Sequence, residues 1–381
     1  MARRVFLHVG TMKSGTSFLQ SLWWRHHDIL AERGLLLPGS RLADHFVSAS
    51  LVCRREQILA ELTPAEHETW RDLTAEVGRW AGDALVSHEL FSPATPEQAS
   101  QALRLLEKHA DEVHVVVTAR DLARQLPSHW QEQVKHHSDA TLVDYWEHVR
   151  RHDPDDPFWT FHDVPALADR WGQGLPPERV HVVVNPPGAP RDWLWRHTAD
   201  LMGVDVGGLD LEARNPNESL GIAEIEVMRR VQGALPAEEK QLEMSRLTKG
   251  FLTRDVLHPS GPGDRFVPPA QVHGWAVERG TLMAEQLRDR GHDVVGDLDD
   301  LVPSAAAPRG RVPDDVTADE VADVAVAALA RMVVHDRHQR ARIEELQAQR
   351  RRLRRRLDAA APGPGTRSTL AGALRRISRR R

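Results

Sequence analysis

An apolar run of strand length, Val5-Phe6-Leu7-His8-Val9, breaks at Gly10-Thr11-Met12-Lys13-Ser14-Gly15-Thr16-Ser17 and resumes with helical character at Phe18-Leu19-Gln20-Ser21-Leu22-Trp23-Trp24. The helix extends by pattern from Ser17 to Arg33 and stops at Gly34, ahead of the short apolar run Leu35-Leu36-Leu37-Pro38. Thr63-Pro64-Ala65-Glu66 reads as a helix start: a capping threonine, a proline in the first turn and early acids. Ala84 to Phe91 is a strand candidate, Thr95-Pro96-Glu97 opens another helix, and Glu112 to Thr118 is the cleanest strand pattern in the chain. A further strand, Val180 to Val184, runs into the turn-rich Asn185-Pro186-Pro187-Gly188. Strands separated by helical stretches of this length predict βαβ units and a mainly parallel sheet.

Beyond about residue 210 the pattern turns helical, with amphipathic stretches at Glu218–Gln232 and Gln271–Arg290. Pro303 to Pro313 reads as a linker, and Thr317-Ala318-Asp319-Glu320 starts a long helix. The organisation expected is a body over residues 1–302, a linker over 303–316 and a basic helical tail over 317–381. In the tail Ile343, Leu346, Leu353 and Leu357 recur at heptad-like intervals with Arg350 interrupting the seam, so a short coiled coil and a lone solvated helix both fit. Pro362 to Gly365 breaks this helix, and Ala373 to Arg381 forms a basic end.

Charge sharpens that division. The whole chain has 50 Lys and Arg against 55 Asp and Glu, but from Arg331 onward there are 16 basic residues against 4 acidic ones, leaving 34 against 51 before it. An acidic body with a basic tail suits an anionic membrane surface or a polyanionic partner, and the tail's lack of aromatics argues against specific nucleic-acid contact. The single Cys53 rules out an internal disulfide and a multi-cysteine metal site, and no apolar run reaches membrane-spanning length. A strand starting so close to the N-terminus leaves no room for a signal peptide, so a cytoplasmic, at most membrane-peripheral, location is expected. The 21 histidines include the adjacent pairs His26-His27 and His136-His137 but no H-E-x-x-H arrangement, and no metal is expected.

The break at Gly10–Ser17 carries the chemistry. Glycines let backbone N–H groups approach an anion, a helix N-terminus adds positive partial charge, and Lys13 adds a full one. Gly10 and Gly15 have Walker A spacing, but Thr16 stands where that motif has its lysine. The order T-x-x-K-S-G-T-S-F instead resembles the 5′-phosphosulfate loop of sulfotransferases that use 3′-phosphoadenosine 5′-phosphosulfate (PAPS). Arg120, ending the run Val115-Val116-Val117-Thr118-Ala119, and Ser128, eight residues on, match the arginine–serine pair with which that family grips the 3′-phosphate.

The resemblance implies a P-loop-like three-layer α/β fold with a central mainly parallel sheet, followed by the linker and basic helix. It implies that Ser14, Gly15, Thr16 and Ser17 bind the 5′-phosphate, that Phe18 packs near the adenine, and that Lys13 neutralises the bridging oxygen as the S–O bond breaks. Ser128, Gln131 and Lys135 follow helical spacing and share one face. In the Ser87-His88-Glu89 segment the resemblance points to Glu89 as general base, as in members acting on carbohydrates, with His88 as the alternative. The expected products are 3′,5′-ADP and a sulfated hydroxyl of a small molecule, glycan or glycolipid. The family's late basic-glycine segment has no clear match; Lys249-Gly250 and Arg265 are the nearest candidates. Two rivals remain at this level: a nucleotide kinase, against which the misplaced lysine stands, and a non-catalytic scaffold that forms homo-oligomers through its tail.

Overall fold

The protein was characterised as a computed structural model that describes residues 1–212, 219–236, 244, 247–258 and 264–360. The Pro362–Gly365 break, the basic end Ala373–Arg381 and the first residue of the Glu218–Gln232 stretch lie outside them.

Six strands form one sheet in the order β2-β3-β1-β4-β5-β6, every neighbouring pair parallel. They are β1 (Ala2–His8), β2 (Leu35–Leu36), β3 (Asp83–Ser87), β4 (Ala110–Ala119), β5 (Val180–Val184) and β6 (Asp293–Val295). Strands buried on both faces need near-continuous apolar sequence, and Val113 to Val117 in β4 and Val180 to Val184 in β5 supply it, broken only by buried histidines. On one face Phe6, Leu85, Val116 and Val183 meet α1 (Thr16–Arg25) and the helix Trp193–Met202, where the rings of Trp23 and Trp195 lie 4.3 Å apart. Helices Thr69–Arg79, Pro96–Leu106 and Val164–Trp171 cover the other face, completing three layers. The α/β fold with a central parallel sheet is thus as expected.

From β1 the chain goes to β2 at one edge of the sheet and returns through β3 beside β1, then crosses to the other side and runs outward through β4, β5 and β6. The crevice between the C-terminal ends of β1 and β4 is therefore a topological switch point, where open α/β sheets bind ligands. The loop after β1 is stitched to β4 there, Val9 N donating to Val116 O at 3.0 Å and Thr11 N to Thr118 O at 2.8 Å.

Several elements differ from the pattern in instructive ways. The first helix ends at Arg25 and a second, His27–Glu32, follows, because His26 leaves helical geometry to bond the Asp210 carbonyl through Nε2 at 2.9 Å. The strand expected to reach Phe91 ends at Ser87, and Glu89–Phe91 is a 3₁₀ turn capped by His88 Nδ1, which accepts from Leu90 N at 3.1 Å. Thr63 and Glu66 do make reciprocal capping contacts, but the continuous helix starts only at Thr69. The capping box at Thr95 forms as the pattern implied. The edge strand β6, three half-buried residues long, carries too short a pattern to be read from sequence.

Compact packing extends over Met1–Val321, and Ala322–Arg381 forms a second unit. Within the first, Arg311 pairs with Glu320 at 2.8 Å and its carbonyl accepts from Val267 N at 2.9 Å. The helix Ala318–Ala360 leaves Val326, Leu329, Val333, Ile343, Leu346 and Leu353 exposed, with Arg340–Asp336 and Arg342–Glu345 ion pairs along it. Among the described residues no helix is long and apolar enough to cross a membrane.

Candidate functional site

The loop after β1 has an unusual backbone. Gly10, Lys13 and Gly15 all have left-handed backbone, with φ of 73°, 61° and 107°. For Lys13 this is costly, of order 1–2 kcal/mol, so the surrounding structure holds it there. A Cβ built on Gly10 would lie 3.0 Å from Glu89 Cβ and 3.2 Å from its Cα, so that position is tight as well, whereas one on Gly15 would meet only the terminal methyl of Leu194, at 2.7 Å. Helix α1 begins at Thr16 with no acid in its first turn. This first turn carries the positive end of the helix dipole.

Below the loop lies a buried polar network. His8 bonds Ser87 Oγ through Nδ1 at 2.8 Å and Thr118 Oγ1 through Nε2 at 3.1 Å; Thr118 Oγ1 meets Ser14 Oγ at 2.8 Å, and Ser14 Oγ donates to Thr11 O at 2.7 Å. Burial pushes the His8 pKa down to about 4, so the ring is neutral. Ser14 thus spends its hydroxyl on tying the loop to β4, and what it offers a ligand is its backbone N–H. The Thr16 side chain is buried, Ser17 is exposed, and Phe18 is half-buried with the Arg191 guanidinium 5.4 Å from its ring centre.

At the end of β4, Asp121 caps α2 (Leu122–His136) by accepting from Arg124 N at 2.9 Å, and its carboxylate also pairs with the Arg124 guanidinium. The half-buried Arg120 donates from Nε to Gln125 Oε1 at 2.5 Å and from Nη2 to Arg124 O at 3.1 Å. Burial, and then the neighbouring Arg124, lower its pKa to about 10, leaving it a cation at neutral pH. Gln125 also donates to the Met12 carbonyl, so one side chain touches both the anion loop and Arg120.

Arg120 and Ser128 line a cavity of about 650 Å³ together with Arg124, Gln131, Arg265 and Phe266. Arg124 also borders a smaller cavity of about 180 Å³, whose walls include Gly15, Phe18, Asn185 and Arg191. Of the two late basic candidates, Arg265 reaches the larger cavity, whereas Lys249 belongs to a different cluster. There Glu132, buried on α2, pairs with Lys13 through Oε2 at 3.2 Å and with Lys249 and His136 through Oε1. Burial alone would raise the Glu132 pKa, but the His136 hydrogen bond and the charges of Lys13 and Lys249 hold it well below the usual carboxylate range. Lys135, one helical step on, is pushed down to about 8 by burial and by Lys13 and Lys249.

No protein-family model matches the chain, and no curated protein sequence does. Among solved structures, the crystal structure of a sulfotransferase from Alicyclobacillus acidocaldarius aligns with 57% of this chain and 88% of its own length, at 15% sequence identity and a TM-score of 0.35. So loose a superposition carries no argument about activity. The functional reading therefore rests on the side chains.

Against the loop stands Glu89, contiguous with Gly10 and receiving a 2.8 Å hydrogen bond from Gln20 Nε2 at Oε2. Burial opposes its ionisation, but nearby His88 and the Gln20 hydrogen bond outweigh this and hold its pKa below the ordinary value, so it is an available proton acceptor. His88 has its Nδ1 occupied by Leu90 N–H. In the neutral ring Nε2 must then carry the proton, which leaves no free lone pair for a base.

Four contributors were not singled out by sequence reasoning for what they do here: Arg124, Gln125, Glu132 and Arg191. A signal for two of them existed. Gln125 and Glu132 continue the helical spacing of Ser128, Gln131 and Lys135 on α2, a polar stripe on a helix that is otherwise deeply buried.

Proposed function

We propose that this protein transfers the sulfuryl group of PAPS to a hydroxyl, releasing 3′,5′-ADP. The observation that carries the reading is the pairing of two anion sites at one switch point. The glycine-bracketed Lys13 loop and the Arg120–Ser128 cavity follow neighbouring parallel strands and are joined through Gln125. A donor with phosphates at both ends of a nucleoside suits two such sites; a nucleoside triphosphate, with all its charge at the 5′ end, does not. Asp121, the acid that follows β4, is committed to Arg124.

In this reading the N–H groups of Gly15, Thr16 and Ser17 hold the 5′-phosphate, and Arg120, Ser128 and Arg265 hold the 3′-phosphate. Phe18 and Arg191 border the base. Glu89 takes the acceptor's proton as its oxygen attacks sulfur. The S–O bond to the 5′-phosphate breaks, its electron pair stays on the phosphate oxygen, and Lys13 neutralises the charge that develops there. Such transfer depends mainly on positioning and electrostatic stabilisation. We read the acceptor as a carbohydrate or glycolipid hydroxyl, the protein as cytoplasmic, and the basic tail as a contact to an anionic membrane surface.

Thermal-shift titration separates this from the kinase alternative. The full chain should be stabilised by 3′,5′-ADP at micromolar concentration and far less by ATP with magnesium; the reverse order would favour a kinase, and no response to either would favour a scaffold. Incubation with sulfur-35 PAPS and cell extract would then identify the labelled acceptor.

A further inference from the structure

The cluster around Glu132 is not explained by donor binding alone. Its two carboxylate oxygens are claimed by different parts of the chain. Oε2 takes Lys13 from the first loop, while Oε1 takes Lys249 from the π-helical turn Leu247–Leu257 and His136 from the same helix. The Glu132 side chain is 8% exposed and that of Lys13 19%, so the pair is poorly screened by water. Segment Leu247–Leu257 is fixed independently, Thr248 Oγ1 donating to the Lys135 carbonyl at 2.8 Å. Lys249 therefore holds Glu132 from a second anchored element.

Lys13 is thus already engaged by an anion before any ligand arrives. An ammonium has three N–H donors but one charge, and a carboxylate beside it repels the oxygens of an incoming polyanion. We propose that Glu132 is a positioning residue for Lys13 that competes with the donor for it: it aims the ammonium along α2 in the free protein, and PAPS draws the ammonium away while Lys249 and His136 retain the carboxylate. The inference rests on the PAPS reading. It adds to it that donor affinity is set below its limit by a residue that meets the loop only through its lysine.

The test is a double-mutant cycle read by isothermal titration of the full chain with PAPS, with adenosine 3′-phosphate, which lacks the 5′ anion, as control. Glu132→Gln should bind PAPS about tenfold more tightly, the scale of breaking a close charge pair, and leave adenosine 3′-phosphate unchanged. In a Lys13→Met background the same substitution should bring no gain, and Glu132→Asp should restore wild-type affinity. Lys249→Met, which preserves both Lys13 and Glu132, should weaken PAPS several-fold by removing the second lysine charge that holds Glu132 away from Lys13; this arm stands even if Glu132→Gln fails to fold. The proposal is overturned if Glu132→Gln binds PAPS no better than wild type, if its gain persists without Lys13, or if Lys249→Met leaves PAPS affinity unchanged. A wild-type chain that binds neither PAPS nor 3′,5′-ADP overturns the donor reading with it, whereas wild-type binding without the Glu132 effect overturns this inference alone.

Discussion

Gln125 Oε1 accepts from Arg120 Nε at 2.5 Å while its amide nitrogen donates to the Met12 carbonyl and meets His162 Nδ1 at 2.9 Å. The orientation of this amide is dictated by its partners, since a guanidinium has no acceptor and a carbonyl has no donor. A side chain with every polar atom used links the loop that follows β1 to the arginine that follows β4, and so the two proposed anion sites to each other.

Replacing Gln125 by Met should therefore separate them. Three partners lose hydrogen bonds at once, which costs about 1–3 kcal/mol of stability for each one left buried and unsatisfied. Affinity for 3′,5′-ADP should drop about tenfold, as for loss of a charge-assisted hydrogen bond that positions Arg120. Adenosine 5′-phosphate, which does not need Arg120, should lose much less. Equal losses for the two nucleotides in calorimetric titration would refute the coupling.

Lys13 permits a cleaner test, because its backbone and its side chain make separate predictions. Lys13→Ala and Lys13→Gly both remove the ammonium, so each should lower turnover by about 10²–10³-fold, the range seen for loss of one group that stabilises transition-state charge. At φ 61°, however, only glycine is relaxed. The Gly variant should be more stable than the Ala variant by about 1 kcal/mol, measured as the difference in denaturation midpoint between the two. Identical midpoints would mean that the left-handed conformation is not retained.

Much of this arrangement was legible in the chain because it is local. A strand, two glycines at fixed spacing and hydroxyls opening a helix specify the loop at Gly10–Ser17 within eight residues, and Arg120 at the end of an apolar strand needs only β4 to be recognised. The sheet was equally readable where strands are buried on both faces, as in β4, and unreadable at β6, where three half-buried residues suffice. The place of Glu132 on the polar stripe of α2 was legible, but its partners were not. In sequence it is one acid among Gln131, Gln133 and Lys135, and its meaning comes from Lys13, 119 residues away, and Lys249, 117 residues away. The break at His26 was hidden for the same reason, since its cause is a carbonyl at Asp210.

Glu89 should behave as a base that is ionised throughout the neutral range. Its pKa lies below the ordinary value, so the acid limb of kcat/KM should lie below the ordinary carboxylate range, with no inflection between pH 6 and 7 attributable to an essential neutral histidine. Glu89→Gln keeps the Gln20 contact within reach but cannot take a proton, and should cost about 10²–10⁴-fold in turnover. His88→Gln should cost far less. A steep loss in His88→Gln with a retained rate in Glu89→Gln would reverse the two roles.

Stability should depend on pH through buried imidazoles rather than through the site itself. His8, His45 and His129 are each pushed down from the ordinary 6.5 to about 4, burial being the main cause in every case. In the unfolded chain these rings take up protons near pH 6.5, whereas in the folded protein they do so only near pH 4. Between those values the unfolded state binds more protons, so folding free energy is fully present above pH 6.5 and is lost as the pH falls through the window. Each group contributes about 1.4 kcal/mol per pH unit across it, so the midpoint of urea unfolding should fall sharply from pH 7 to pH 5. His8 is the informative one to change, because its two hydrogen bonds run to Ser87 and Thr118 beneath the loop. His8→Gln cannot take up a proton and should flatten the pH dependence measurably, since one of the titrating buried rings is gone. An unaltered slope in that variant would show that His8 does not remain neutral in the folded protein.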